Sequence, residues 1–464
     1  MKSIYAYRSK VNVALFFLLI LTQWSCKKSF LDAKPNLALV VPNAVADYQA
    51  ILDNNIANNL FNYNQPSLPE IGAGDFYLQY TSWQTLINAQ ERNAYLWSPD
   101  IYAGQISFDW NNAYQRILNE NVVLNGIVNI SYNSSNEASW NNVKGTGLFY
   151  RAYDFLCLAE EFAKAYDASS ANTDLGIPLR TSSDINVKSV RATVLETYNQ
   201  IINDLLIAKS LLPASVVYPD RPGKGAVYGL LSRVYLDQSN YAKALAYADS
   251  SLQLNNKLID FNTLSKTSSN PITYFNPEVI YNHFLSSYSS FNNSSPDLIV
   301  DSTLYNSYSA NDLRKVIYFK TVSGLITRKA SYSGNTYLFG GLATDEMYLT
   351  RAECYARLNN VSSAMQDLNA LLVTRWASGT FTPYTASNST DALNEILLER
   401  RKELIFRGRR WADLKRLNKD PNTAVTLARI FNGQTYTLLP NSDLYVFPIP
   451  TDEIQLSGLQ QNPR

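Results

Sequence analysis

Apolar residues recur at three- and four-residue intervals over 110–128, 145–166, 194–212, 226–238, 241–254, 344–358 and 362–376. That spacing lines one face of an amphipathic helix, so seven helices are predicted there. Two consecutive pairs share an internal pattern. Tyr235 precedes Ala244 by nine residues, and Tyr355 precedes Ala364 by the same interval. In each, a bulky helix ends at a polar turn, at 238–240 and 359–360, and a helix with a small residue facing the first one follows. Small and large residues interlocking between antiparallel helices is the packing logic of tetratricopeptide repeats.

Between the pairs the periodicity fades. Residues 255–341 are rich in Ser, Asn, Tyr and Pro, and 55–105 is a similar irregular stretch. Long irregular insertions on a rigid scaffold are where binding usually resides. The expected fold is therefore all-α dominated: tetratricopeptide-like helix pairs forming a right-handed scaffold, a single helical domain over 44–464, with the insertions carrying the ligand surface.

The first residues are of another kind. Lys2, Arg8 and Lys10 precede an apolar run at 11–21, then Trp24, Ser25 and Cys26 follow. The run is far shorter than the roughly 20 residues of a membrane-spanning helix, which predicts a cleaved leader. A small residue before a cysteine predicts a lipoprotein signal at 1–25 and acylation of Cys26, although Gln23 and Trp24 depart from the usual lipobox. Residues 26–43, with Pro35 and Pro42, read as anchor and tether. No other segment is apolar for long enough to cross a membrane, so membrane attachment is expected through the lipid alone.

Charge and composition exclude several functions. Losing the three basic leader residues takes the formal net charge from +1 to −2, which gives no pull toward nucleic acid. Cys157 and Cys354 are the remaining cysteines, both on predicted helices, and read as buried free thiols rather than a disulfide scaffold. His283 is the single histidine, so histidine-rich zinc sites cannot be built, and after the apolar Val279-Ile280-Tyr281 run it reads as structural. Gly72-Ala-Gly74 and Gly223-Lys-Gly225 lack the context of a phosphate loop. No cofactor and no metal are expected.

Residues 399–416 carry eight basic and three acidic side chains. Glu399, Glu403 and Arg407 stand four apart and can pair along one helix face, and Leu393, Leu397 and Leu404 supply an apolar stripe. The segment is expected to be an ion-paired helix docked on the scaffold, with Gly408 ending the turn. No carboxylate stands isolated in an apolar stretch, as a raised pKa would require, so most acids read as solvated or paired.

The chain holds 32 Tyr and seven Trp, and an exposed ring can stack on the C–H face of a sugar while neighbouring Asn and Asp bind hydroxyls. Tyr77, Trp83, Tyr95 and Trp97, with Tyr80 among them, form the densest group in the irregular 55–105 stretch. They are the candidate ligand residues, joined by Asp75 and, from the second stretch, Tyr288 and Phe291.

Cys26 with Phe30-Leu-Asp32 begins an ordered set of weak motifs. Trp110, Tyr114, Ile117 and Asn121 follow, then Arg151-Ala152, Gly176-Ile-Pro178, Leu211-Leu-Pro213 and Arg233-Val-Tyr-Leu236. Glu346, Arg351-Ala-Glu353, the 399–416 segment, Pro448-Ile-Pro450 and Gln461-Asn-Pro463 complete it. In this order the chain resembles the SusD/RagB family of outer-membrane nutrient-binding lipoproteins of Bacteroidetes. The resemblance implies display on the cell-surface face of the outer membrane, lipid-anchored, as a lid over a SusC-like TonB-dependent transporter. It also implies capture of oligosaccharides, or in some members peptides, without catalysis. A peptide-binding member, a structural lid that binds nothing and a surface glycosidase stand as alternatives.

Overall fold

The computed structural model describes residues 41–54, 61–291 and 298–464; the leader, Cys26 and most of the tether lie outside the described residues. The chain divides into units Met1–Ala44 and Val45–Arg464, and every element named here belongs to the second. Its helices in chain order are α1 (Val45–Leu52), α2 (Tyr80–Thr85), α3 (Ala89–Tyr95), α4 (Phe108–Ile127), α5 (Glu137–Phe162), α6 (Val194–Leu211), α7 (Lys224–Asp237), α8 (Tyr241–Leu254), α9 (Ser302–Ser307) and α10 (Arg314–Ile317). Then follow α11 (Thr344–Arg357), α12 (Val361–Leu372), α13 (Ser389–Glu403), α14 (Arg410–Leu417) and α15 (Thr451–Ser457).

The two repeat pairs, α7–α8 and α11–α12, close with the same turn. Ser239 and Asn359 take left-handed backbone (φ 56° and 61°). The next residue, Asn240 or Asn360, donates its backbone N–H to the carbonyl of Tyr235 or Tyr355, 2.8 Å in both. Each Asn side chain then caps the second helix, accepting from Lys243 N–H or Ser363 N–H, which satisfies an N–H that a helix start leaves open. The small residues do as expected: Ala244 and Ala364 are fully buried, and α8 packs against α11 so that the pairs stack. Helices α4, α5 and α6 pack on one another as a second layer, with α6 opened by a Thr193/Glu196 capping box. Helix α5 starts two turns before the apolar stripe, its first turns polar and exposed and Trp140 bonded to the carbonyl of Ile127.

The charged segment departs from expectation. It is two helices, α13 and α14, with a bend between them where Phe406 and Gly408 hold φ of 58° and 66°. Apart from the short pairs Lys402–Glu399 and Arg416–Asp413, its charges bridge elements and do not pair along one face, and most are buried. Glu403 receives Arg314 and Arg375, Arg407 meets Asp345, Arg409 meets Glu160, and Arg416 meets Glu353 and Asp413. Arg233 of α7 makes a bidentate pair with Glu346 of α11. Burial pushes Glu346 and Glu403 up, but the arginines outweigh it and hold each at about 2. Cys157 and Cys354 are buried free thiols.

The irregular stretches contribute small sheets. Strands β1 (Phe76–Tyr77), β5 (Ile299–Val300), β7 (Leu325–Arg328) and β6 (Phe319–Val322) pair in that spatial order. Strand β2 (Leu175–Pro178) pairs with β3 (Arg191–Thr193), β4 (Val279–Tyr281) with β8 (Leu342–Ala343), and β9 (Leu427–Phe431) forms a hairpin with β10 (Gln434–Leu438).

Candidate functional site

Five of the seven candidate ligand residues are interior. Tyr95 and Trp97 lie beneath β9, whose Arg429 guanidinium carbon sits 4.0 Å and 4.2 Å from their ring centroids. The Tyr95 hydroxyl accepts the Leu78 N–H at 3.0 Å and Trp97 Nε1 donates to the Gly72 carbonyl at 3.0 Å. Asp75 is buried and accepts from Arg401 Nε at 2.8 Å. Tyr288 donates to Asp109 at 2.9 Å, and Phe291 packs edge-on to Phe76. A ring packed in the interior has no face left for a sugar and the Asp75 carboxylate is spent on Arg401, so these five are corrected from ligand contacts to core. Tyr77, 40 % exposed, and the half-buried Trp83 remain at the surface. On α2, which buries no residue, Trp83 stacks with Tyr80 at 5.9 Å, and Phe431 of the hairpin closes edge-on against both.

A second aromatic surface is larger, and both irregular stretches build it. Segment 62–65 runs beside 282–286. Phe284 N–H donates to Asn62 O, Gln65 N–H to Phe284 O and Ser286 N–H to Gln65 O. On the other side Leu285 N–H donates to Leu338 O and Gly340 N–H to His283 O. This three-stranded zipper sets Tyr63, Phe284 and Tyr337 side by side, with centroids 4.7–5.6 Å apart. Tyr274 lies 6.4 Å from Phe284 and stacks on Phe275 at 3.9 Å, and Phe275 reaches Tyr218 at 6.3 Å. Gly334 makes that approach possible: it holds φ +72°, and a Cβ there would fall 2.3 Å from the Tyr274 nitrogen. Tyr218, Tyr274 and Tyr337 are 61 %, 47 % and 36 % exposed, Tyr63 and Phe275 are half-buried, and Phe284 is buried beneath them, so five rings on a buried Phe284 reach the surface.

The chemistry around them is polar and neutral. Burial pushes the Tyr274 phenol up to about 12, helped by Tyr63 and Asp220, and burial with Tyr337 raises Tyr63. The phenols therefore stay protonated and can donate. Asn335 and Ser333 lie beside Tyr337, with Ser333 Oγ bonded to its carbonyl, and Arg221 pairs with Asp53 at 2.5 Å near the Tyr218 end. His283 beneath the surface stacks on Tyr153 and is held neutral by burial and by Arg116.

An open cleft of about 700 Å³ lies elsewhere, between α4, the 180–189 loop and α15. Its aromatic residues are already engaged: Tyr114 donates to the Pro178 carbonyl and Trp110 packs on Phe162. Carboxyl groups with raised pKa do exist, against expectation. Glu120 and Glu161 are pushed well up by burial, with Asp154 and Asp109 respectively adding to it. Packing of distant helices, not local sequence, isolates them, and both are sealed from solvent. Among the described residues no group of three or more His, Cys, Asp or Glu could hold a metal, and no helix is long and apolar enough to cross a membrane.

Two family models match the chain. One, described as starch-binding and associating with the outer membrane (SusD-like), matches residues 29–236; the other, the SusD family (SusD/RagB), matches 281–464. No curated protein matches. Among solved structures, a SusD superfamily protein of Bacteroides thetaiotaomicron superposes with a TM-score of 0.71 at 20 % identity, covering 91 % of this chain and 100 % of that one. A SusD-like carbohydrate-binding protein of Bacteroides vulgatus does so with 0.68 at 24 %, covering 90 % and 97 %.

Proposed function

Because the chain belongs to the SusD/RagB family, a family of carbohydrate-binding proteins associated with the outer membrane, we propose that it captures an oligosaccharide and passes it to a TonB-dependent transporter. The capture surface in this reading is the ring surface of Tyr63, Tyr218, Tyr274, Phe275 and Tyr337, supported from below by Phe284. The observation that carries it is the contiguity of five surface rings, three of them exposed, packed over the buried Phe284. Each aromatic face is an apolar platform for sugar C–H groups, and protonated phenols with Asn335 supply hydrogen bonds to hydroxyls. Tyr77, Tyr80 and Trp83 form a second, smaller platform.

Isothermal titration of the full-length protein against a panel of oligosaccharides tests this. Tyr274→Ala should weaken binding about tenfold, the effect of losing roughly 1.4 kcal/mol of stacking and hydrogen bonding, while Trp83→Ala leaves it within about twofold. No heat with any sugar would overturn glycan capture in favour of peptide capture or a structural lid.

Acylation of Cys26 is the proposed anchor, since among the described residues no helix can span a membrane. Cys26→Ser should move the protein out of the outer-membrane fraction with its circular dichroism unchanged. Retention in that fraction would sink the anchor.

A further inference from the structure

A pocket of about 370 Å³ lies between the end of α5, the C-terminal end of α14 and the 441–446 segment, away from both aromatic surfaces. Three donors on its wall are unspent. Lys415 is buried and gives two of its three N–H groups to the carbonyls of Glu160 and Ala163, at 2.5 Å and 2.6 Å. Among the described residues no carboxylate pairs with its ammonium. Asn418, also buried, uses its Oδ1 to accept the Val425 N–H at 2.9 Å, but its Nδ2 has no acceptor among the described residues. The hydroxyl of buried Tyr445 likewise has no partner among them. Burial pushes the Tyr445 phenol up, and the nearby Asn418 side chain holds it back; both line the same pocket.

Buried donors without acceptors are costly, and three of them on one wall call for a ligand that brings acceptors and negative charge. The carboxylates on the rim do not answer that need. Asp174 is occupied by Lys164 at 3.2 Å and by Ser170, Lys419 turns to Asp167, and Asp443 is exposed. We propose that this pocket is a second binding site, for an oxyanion carried on a small polar molecule, with Lys415, Asn418 and Tyr445 as its donors. Its volume lies at the lower end of those of small-molecule sites, enough for one sugar acid.

The site has a pH signature. Burial lowers Lys415 to about 8 against Glu160, Asp237 and Glu161, which raise it. Asp237, itself raised to about 8 by burial and Glu160, gains its charge over the same range. Both changes disfavour an anion as pH rises through 8; the other charged groups that face the pocket are Lys164, Lys419, Asp174 and Asp443.

The test is titration of the full-length protein with glucuronate, sulfate and phosphate, with glucose as the neutral control, at pH 7 and pH 9. Glucuronate binding that weakens at least tenfold at pH 9, with no response to glucose, is the expected result; sulfate or phosphate binding alone would assign the site to a free inorganic anion. Asn418→Asp keeps the acceptor for Val425, removes the amide donor and adds a negative charge on the pocket wall, so it should abolish anion binding, and Tyr445→Phe, which removes a donor with no change of charge, should weaken it several-fold. Both variants leave the ring surface untouched, so oligosaccharide binding measured in parallel reports on that reading separately. Wild-type protein that binds none of the three anions, or Asn418→Asp that binds as tightly as wild type, overturns the proposal.

Discussion

Glu120 shows how a single side chain is set by neighbours far away in sequence. It is fully buried on α4, and neither carboxyl oxygen has a hydrogen-bond donor among the described residues. Burial raises its pKa first and Asp154 raises it further, against Arg116 and Arg151. In the folded protein Glu120 therefore keeps its proton and offers it to Asp154, which is already held by Arg116 at 2.6 Å. Unfolded, the same carboxyl releases its proton near its ordinary value of 4.5. The folded state binds more protons, so stability falls as pH rises from 4.5 toward the raised folded value, by up to about 1.4 kcal/mol per pH unit. Glu120→Gln keeps a donor toward Asp154 and cannot ionise. Urea unfolding at pH 5 and pH 8 should show the variant gaining on wild type at pH 8 by more than at pH 5. An equal difference at both would mean that Glu120 is ionised in the folded state. The same dependence on distant partners explains why the candidate site was only partly legible. Tyr95 and Trp97 look like surface rings in their own stretch, and only Arg429, more than 300 residues on, reveals that they are covered.

At the level of elements, local periodicity was a good guide and charge pairing a poor one. The helix pairs were legible because a 3.6-residue stripe, an Asn cap and a small residue opposite a Tyr are all local signals. The bend between α13 and α14 was signalled by Gly408 alone, and the partners of Arg407, Arg409 and Arg416 lie on α5 and α11 while Arg314 pairs with Glu399 and Glu403, which no spacing rule within 399–416 can reach. These buried pairs act as pegs between helices. The cost of removing one partner of such a pair is about 3–5 kcal/mol, because the other charge is left buried, whereas an apolar replacement of both can be neutral. Arg233→Leu should therefore lower the unfolding free energy by about 3–5 kcal/mol, and Arg233→Leu with Glu346→Leu should recover most of it. With Glu346 held at about 2, the wild-type contribution is complete above its ordinary 4.5 and is lost as pH falls from 4.5 through 2. A double variant no more stable than the single one would mean that the pair is not the peg.

Across the whole described unit, a scaffold pinned by buried ion pairs carries a ring surface assembled from Tyr218 and the two irregular stretches, which are zipped together by backbone bonds at 62–65, 282–286 and 338–340. Neither stretch alone makes this platform, and that is why its rings could not be picked out from the sequence. Tyr63, Tyr274 and Tyr337 share no sequence signal that separates them from the chain's other tyrosines. Because the rings already stack on one another, ligand capture needs little ordering of side chains, which lowers its entropic cost. Binding should then leave the helix pairs unchanged. Hydrogen exchange of the full-length protein with saturating oligosaccharide should slow only at 61–65, 218–221, 273–286 and 335–340. Protection at 80–87 and 427–438 instead would place the glycan on the Tyr80–Trp83 platform. Protection spreading over 224–254 and 344–372 would mean that the stacked helix pairs tighten on binding, and the preformed surface would have to give way to one completed by its ligand.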